Sequence, residues 1–233
     1  MIALGSAAPT LVEQALQHTP DILHGVSELL SKIFKAKPSP EALTTAGMQI
    51  CSACLEVSAS FLAENSQVAA LSMHRASIEL SVLHRFALEP DSEKRLESII
   101  STLAASYAVL EACTEVLVDG FMALAPGGEE GAYKVLEESA EMCLQLAEVL
   151  VSRNLLKQGE STLVPAIQVL PGALRFLGRF LAEAPEALDA KKRLPGLMMQ
   201  LLKPNSVVPP LAIQFLIPAL VQVRLKITVV VFF

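Results

Sequence analysis

Cys51-Ser52-Ala53-Cys54 is the stretch of this chain whose residue types and spacing come nearest to a chemical device. On a helix, positions i and i+3 lie on one side, so two sulfurs there could share a metal ion or form a redox pair. A structural zinc needs two more ligands, usually from a second paired motif. Cys113 and Cys143 stand alone in the sequence, and His74 and His84 are separate. A thioredoxin-like pair needs a preceding strand and a helix N-terminus to lower its thiol pKa. This pair sits inside a helical pattern, so it reads as small apolar packing.

Other candidates thin out on the same inspection. Glu137, Glu138 and Glu141 would suit a di-iron site only with Glu-x-x-His on facing helices, which is absent; they read as a solvated face. The glycines of GGEEG at 127–131 come without the Lys-Ser/Thr of a P-loop. Gly-x-Ser-x-Gly, His-Glu-x-x-His and a dinucleotide fingerprint do not occur. The expectation is a protein that is not an enzyme, with no catalytic residue, metal or cofactor.

Cations offer binding rather than catalysis. His74-Arg75 and His84-Arg85 repeat ten residues apart, near three helical turns, which places both pairs roughly on one side. Lys191-Lys192-Arg193 is the densest basic cluster, and Arg175 and Arg179 lie upstream of it. These nine residues are the candidate partner contacts; the plainer reading is solvated flanks and helix ends.

The elements that must position them are helical. The 233 residues are 52% hydrophobic and 18% charged, without Trp, and mean hydropathy is +0.49. Typical domains carry about 25% charged residues. Such a chain either meets a membrane or offers apolar surface to a neighbour. The net charge of −6 conceals an asymmetry: 8 Lys/Arg against 20 Asp/Glu in residues 1–152, then 10 against 4 in residues 153–233. That reads as complementary faces of one fold, or as attachment of the basic end to an acidic partner. Nucleic acid is the weaker form of the second reading, because aromatic residues alternate with basic ones only at Arg175-Phe176 and Arg179-Phe180. The N-terminus reads as neither a secretory signal nor a transit peptide. Four Cys without a signal read as reduced thiols, which places the expected localisation inside the cell, in cytoplasm or nucleus.

Thr19-Pro20-Asp21 and Ser39-Pro40-Glu41 each read as a helix start, with Pro at the first helical position and an acid behind it. Asn65-Ser66, Asp91-Ser92, Gly127-Gly128, Ser161-Thr162 and Pro185 mark further breaks. Between them the spacing is helical: Ile22, Val26, Leu29 and Ile33 share a face, as do Leu96, Ile100, Leu103, Tyr107, Leu110, Leu117 and Phe121. Leu136, Ala140, Cys143, Ala147 and Leu150 form a third stripe. Short turns between such helices mean antiparallel hairpins.

Beyond residue 160, eight prolines from Pro165 to Pro218 punctuate Leu-rich runs such as LVPAIQVLPGALRFLGRFL and VVPPLAIQFLIPALVQV, chopping the helices into shorter pieces. This texture, mainly over residues 160–223, resembles HEAT/armadillo-type helical repeats. The resemblance implies an all-α fold of antiparallel hairpins stacked as an α-solenoid. It also implies a non-enzymatic scaffold or adaptor that holds protein partners on extended surfaces. No period of 40–47 residues runs through the whole chain, and a helical bundle is the alternative. Three regions follow: an acidic long-helix part (1–152), a basic Pro-punctuated part (153–222) and a hydrophobic tail (223–233).

Pro204–Val223 is uncharged and long enough to span a bilayer, so a membrane-associated subunit anchored through residues 204–233 is the competing function. Its four prolines favour a buried helix starting at Pro210 instead. The closing ITVVVFF is all β-branched or aromatic and is an aggregation hazard. CAG-GTG-AGA would encode Gln222-Val223-Arg224 and matches an exon end with a splice donor. The tail is therefore expected to be intron read-through on a truncated isoform of a larger solenoid. A strand for a partner's sheet edge, or a membrane-contacting tail, is the other reading.

Overall fold

The computed structural model describes residues 11–36, 41–88, 96–120, 128–153, 165–203, 206 and 208–222. Among them the protein is all-helical, with nine α-helices and no strand. They are α1 (Leu11–Lys35), α2 (Glu41–Val57), α3 (Phe61–Glu64), α4 (Ser66–Ala87), α5 (Leu96–Val118), α6 (Gly128–Ser152), α7 (Pro165–Glu183), α8 (Ala190–Leu201) and α9 (Pro210–Ile213). A 3₁₀ turn at Ala187–Asp189 leads into α8, and α9 continues helically to Gln222. The tail 223–233, with its strand, membrane and read-through readings, lies outside the described residues.

Alternate helices pack together as well as consecutive ones. α4 lies between α1 and α6, and α5 lies between α2 and α7. α4 and α5 run antiparallel, since His84 meets Tyr107 while the Ala69 carbonyl meets Cys113. α5 and α7 run parallel: Tyr107 abuts Gly172, Glu111 pairs with Arg175 and Glu115 with Arg179. α2 follows the same direction beside α5: Thr45 lies near Thr102 and, further along both helices, Cys51 lies near Cys113. The core is Leu-rich, as a chain without Trp requires, and its largest enclosed side chains include Phe61, Phe176 and Phe180. Glu97–Val118 is long and apolar enough to cross a membrane, but most of it is buried inside the fold.

The α6 stripe from Leu136 to Leu150 is buried throughout, which accounts for that helix's orientation. On α5, Leu103, Tyr107 and Leu110 are buried, while Ile100 and Leu117 pack at the margin. Phe121 lies outside the described residues.

Four readings need correction. Pro20 does not open a helix; it sits inside α1 on the exposed side, where the missing N–H removes one intrahelical bond and the ring meets no neighbouring helix. The buried face of α1 runs through Leu30 and Ile33, with Leu23 and Val26 packed against the core, whereas Ile22 and Leu29 are exposed. Ile22-Leu23 and Leu29-Leu30 are adjacent apolar pairs, so spacing alone left the phase open by one residue, about 100°. Nor do all the later prolines break helices, because α7 continues through Pro171 and α8 through Pro195. Finally, the helix from Pro210 is buried on one side only.

Two glycines set interhelical distances. A Cβ on Gly178 would stand 2.0 Å from the Phe215 carbonyl oxygen, so α7 meets the last helical run backbone to backbone. A Cβ on Gly172 would stand 2.7 Å from the Tyr107 ring.

Candidate functional site

The outward stripe of α5 is made of alanines. Ala104, Ala108 and Ala112 repeat every four residues and end at Cβ, so the line above α5 is a trough rather than a ridge. Ser52, Leu55 and Glu56 of α2 form one wall, and Gly172 and Arg175 of α7 form the other; the groove holds about 390 Å³. Glu111 and Glu115 rise from its floor, beside the edge of the Tyr107 ring.

An ion-pair ladder closes the α7 side. Arg175 Nε lies 2.8 Å and 3.0 Å from the two carboxylate oxygens of Glu111, and its guanidinium stands 6.0 Å from the Phe215 ring centroid. Arg179 reaches Glu115 and Glu183, each at 3.6 Å. Exposed pairs of this kind contribute little stability, so their chief effect is register between α5 and α7.

The densest basic cluster opens α8. Cations at a helix N-terminus oppose its dipole, so they need anions nearby. Lys191 finds Glu186 at 3.3 Å and Lys192 finds Asp189 at 3.8 Å. Arg193 is gripped harder: its guanidinium is 2.6 Å from Glu141 and 2.8 and 2.9 Å from Glu148. Those two carboxylates hold it above the ordinary arginine range, Glu148 most strongly. Arg193 also donates to the Leu188 carbonyl at 3.5 Å. Leu188 and Asp189 both take left-handed backbone (φ 59° and 51°), a conformation that side-chain-bearing residues adopt at a cost. Glu141 of the presumed solvated face is thus an anchor for α8, while Glu138 only meets Lys134 at 4.0 Å.

The two His-Arg pairs are not brought together. His74 and Arg85 are exposed, and Arg75 pairs with Glu79 at 2.8 Å. His84 is buried, its Nε2 2.6 Å from the Tyr107 hydroxyl. Ten residues turn a helix to roughly 80° short of three full turns, enough to carry the second histidine into the core. Burial pushes His84 down to about 4, the Met142 backbone opposing part of that shift. Burial, with Cys143 adding to it, pushes Tyr107 well above its usual range. At neutral pH both groups are uncharged, and the imidazole tautomer sets which of them donates.

All four cysteines are free and buried. Burial pushes Cys51 up to about 12 and raises Cys54, Cys113 and Cys143 as well. Both sulfurs of the Cys51–Cys54 pair belong to the core, as thiols rather than thiolates. No group of three or more His, Cys, Asp or Glu able to hold a metal occurs among the described residues.

Sequence reasoning passed over the groove and its carboxylates. Glu111 and Glu115 share the four-residue spacing of Arg175 and Arg179, which was a usable signal for pairing. An alanine stripe carries no such signal, since alanines also pack cores. No protein-family model, curated protein or solved structure matches this chain.

Proposed function

We propose that this protein is a non-enzymatic helical-repeat scaffold whose hairpins stack as an α-solenoid and whose α2–α5–α7 groove receives a protein partner. The observation that carries the reading is the parallel succession of α2, α5 and α7, each laid beside the previous one. A closed bundle of short-looped helices alternates direction around one core, whereas stacked repeats return each second helix to the same direction. The perturbed side chains are compatible with a binding role: His84 and the four thiols are buried in the core, and Tyr107, whose ring borders the groove, has its hydroxyl bonded to His84.

Stacked repeats open from their ends, so amide exchange in mild denaturant should release α8–α9 before α4–α7. Exchange of the whole chain in one step would sink the stacking. For the groove, Ala108→Arg fills the trough without touching the core. Proteins retained by the wild-type chain and lost by this variant, at unchanged melting temperature, identify the partner. An identical retained set would remove the groove from consideration.

A further inference from the structure

α2, α5 and α7 end side by side. Cys51 lies near Cys113 and Glu115 faces Arg179, and about one turn remains on each helix beyond these contacts. Val57, Val118 and Glu183 therefore close one end of the groove together. A helix C-terminus is the negative pole of its dipole and favours a cation in its last turn. None of these three helices carries a basic residue there. Carboxylates stand there instead: Glu56 in the last turn of α2, Glu115 in that of α5 and Glu183 closing α7.

The charges along the groove do not cancel. Its lining holds Glu56, Glu111 and Glu115 against Arg175. Glu111 takes Arg175, while Arg179, next along α7, is shared at 3.6 Å between Glu115 and Glu183. Glu56 is exposed and meets no cation among the described residues. The alanine floor from 104 to 115 runs about 16 Å, room for three helical turns or five extended residues.

We infer that the occupant of this groove is a basic segment of the partner, its Lys or Arg side chains on Glu56 and Glu115 and its small or apolar residues on the alanines. This rests on the groove reading above and adds the sign of the partner's charge. Apolar contact with Leu55, Ala108 and Ala112 gains free energy from leaving water, whichever segment supplies it. Charge makes the selection. Acidic segments, and the phosphates of nucleic acid or anionic lipid, bring like charge to the carboxylates and to three negative helix ends. A basic segment meets complementary charge at each of them.

The test is panning of random peptides about twelve residues long, the floor's length as a helix, on the immobilised full chain. Enriched peptides should be rich in Lys and Arg. Their affinity, read by fluorescence anisotropy, should fall with added salt, and roughly three- to tenfold on Glu56→Gln with Glu115→Gln. Glu129→Gln with Glu130→Gln removes the same charge from the first turn of α6 and should leave affinity unchanged. If the first pair loses helicity, Glu56→Gln alone decides. Acidic or neutral peptides that Ala108→Arg abolishes would keep the groove as a binding site and overturn the basic occupant. Basic peptides indifferent to the groove glutamines overturn it too. Peptides indifferent to Ala108→Arg, or no enrichment, overturn the groove reading itself and this inference with it.

Discussion

The Nε2 of His84 on α4 lies 2.6 Å from the hydroxyl of Tyr107 on α5, and both rings are buried. Burial holds the imidazole down at about 4, against an ordinary value near 6.5, so the folded state resists its protonation. The sign follows. This contribution is fully present above about pH 6.5 and is lost as pH falls towards about 4, because the unfolded chain takes up the proton first. Between those limits it amounts to about 3 kcal/mol. Urea unfolding of His84→Gln should show a correspondingly flatter acid limb than the wild type. Equal acid limbs would show that other groups govern the loss.

Gly178 and Gly25 should respond oppositely to alanine. Gly178→Ala drives a methyl into the Phe215 carbonyl, which cannot yield as a flexible side chain would. A loss of about 1–3 kcal/mol is expected, with faster amide exchange in residues 210–222. Nothing lies within 4 Å of the position a Cβ would take on Gly25, inside α1. Gly25→Ala should therefore raise stability by about 0.5–1 kcal/mol. Thermal melts of the two variants check both signs.

Arg193→Lys should behave as a disruptive change. A lysine, with one nitrogen, cannot serve Glu148 with two nitrogens while reaching Glu141 with a third. A loss of about 1–2 kcal/mol is expected, concentrated in α8 and in the left-handed Leu188–Asp189 turn. Amide exchange across residues 187–201 measures it, with Lys192→Ala as the exposed control whose stability should stay unchanged.

The four thiols should be silent in the folded protein. Their burial and raised pKa leave neither access nor thiolate at neutral pH. Alkylation by iodoacetamide should proceed at the rate of unfolding and count four thiols once denaturant is added. Rapid native labelling of Cys51 and Cys54 would reopen the paired-cysteine site.

Much of this architecture is legible in one dimension where the pattern has a single phase. The α6 stripe is an example: although Val135-Leu136 and Val149-Leu150 are adjacent apolar pairs, Glu137, Glu141 and Glu148 mark the side turned away from the core and leave one orientation. α1 has neighbouring apolar residues at both 22–23 and 29–30, so two orientations satisfy the same periodicity and only the packing of α2 and α4 selects between them. Pro20, Pro171 and Pro195 are ambiguous for a related reason. A proline at an exposed or marginal position costs one hydrogen bond, which neighbouring contacts can offset, so local signals place a break where the helix continues.

The candidate interaction face was less legible than the fold. Of the nine cations singled out, Arg75, Arg175, Arg179, Lys191, Lys192 and Arg193 each lie beside a carboxylate of the same chain, and His84 is internal. A cation's availability depends on what stands opposite it, and for Arg175 and Arg193 the opposite residue is 45 to 64 positions away.

By itself, the sequence determined helix content, the buried stripe of α6, the start of a helix at Pro210 and the uncharged character of the residues that follow. These are properties of local spacing and composition. Only the tertiary structure decided which acidic residues meet which basic ones, that His84 turns inward to Tyr107, and that alanines 104, 108 and 112 floor a groove. Each depends on two segments distant in sequence arriving side by side, and periodicity within a segment fixes its face but not the neighbour that face will meet.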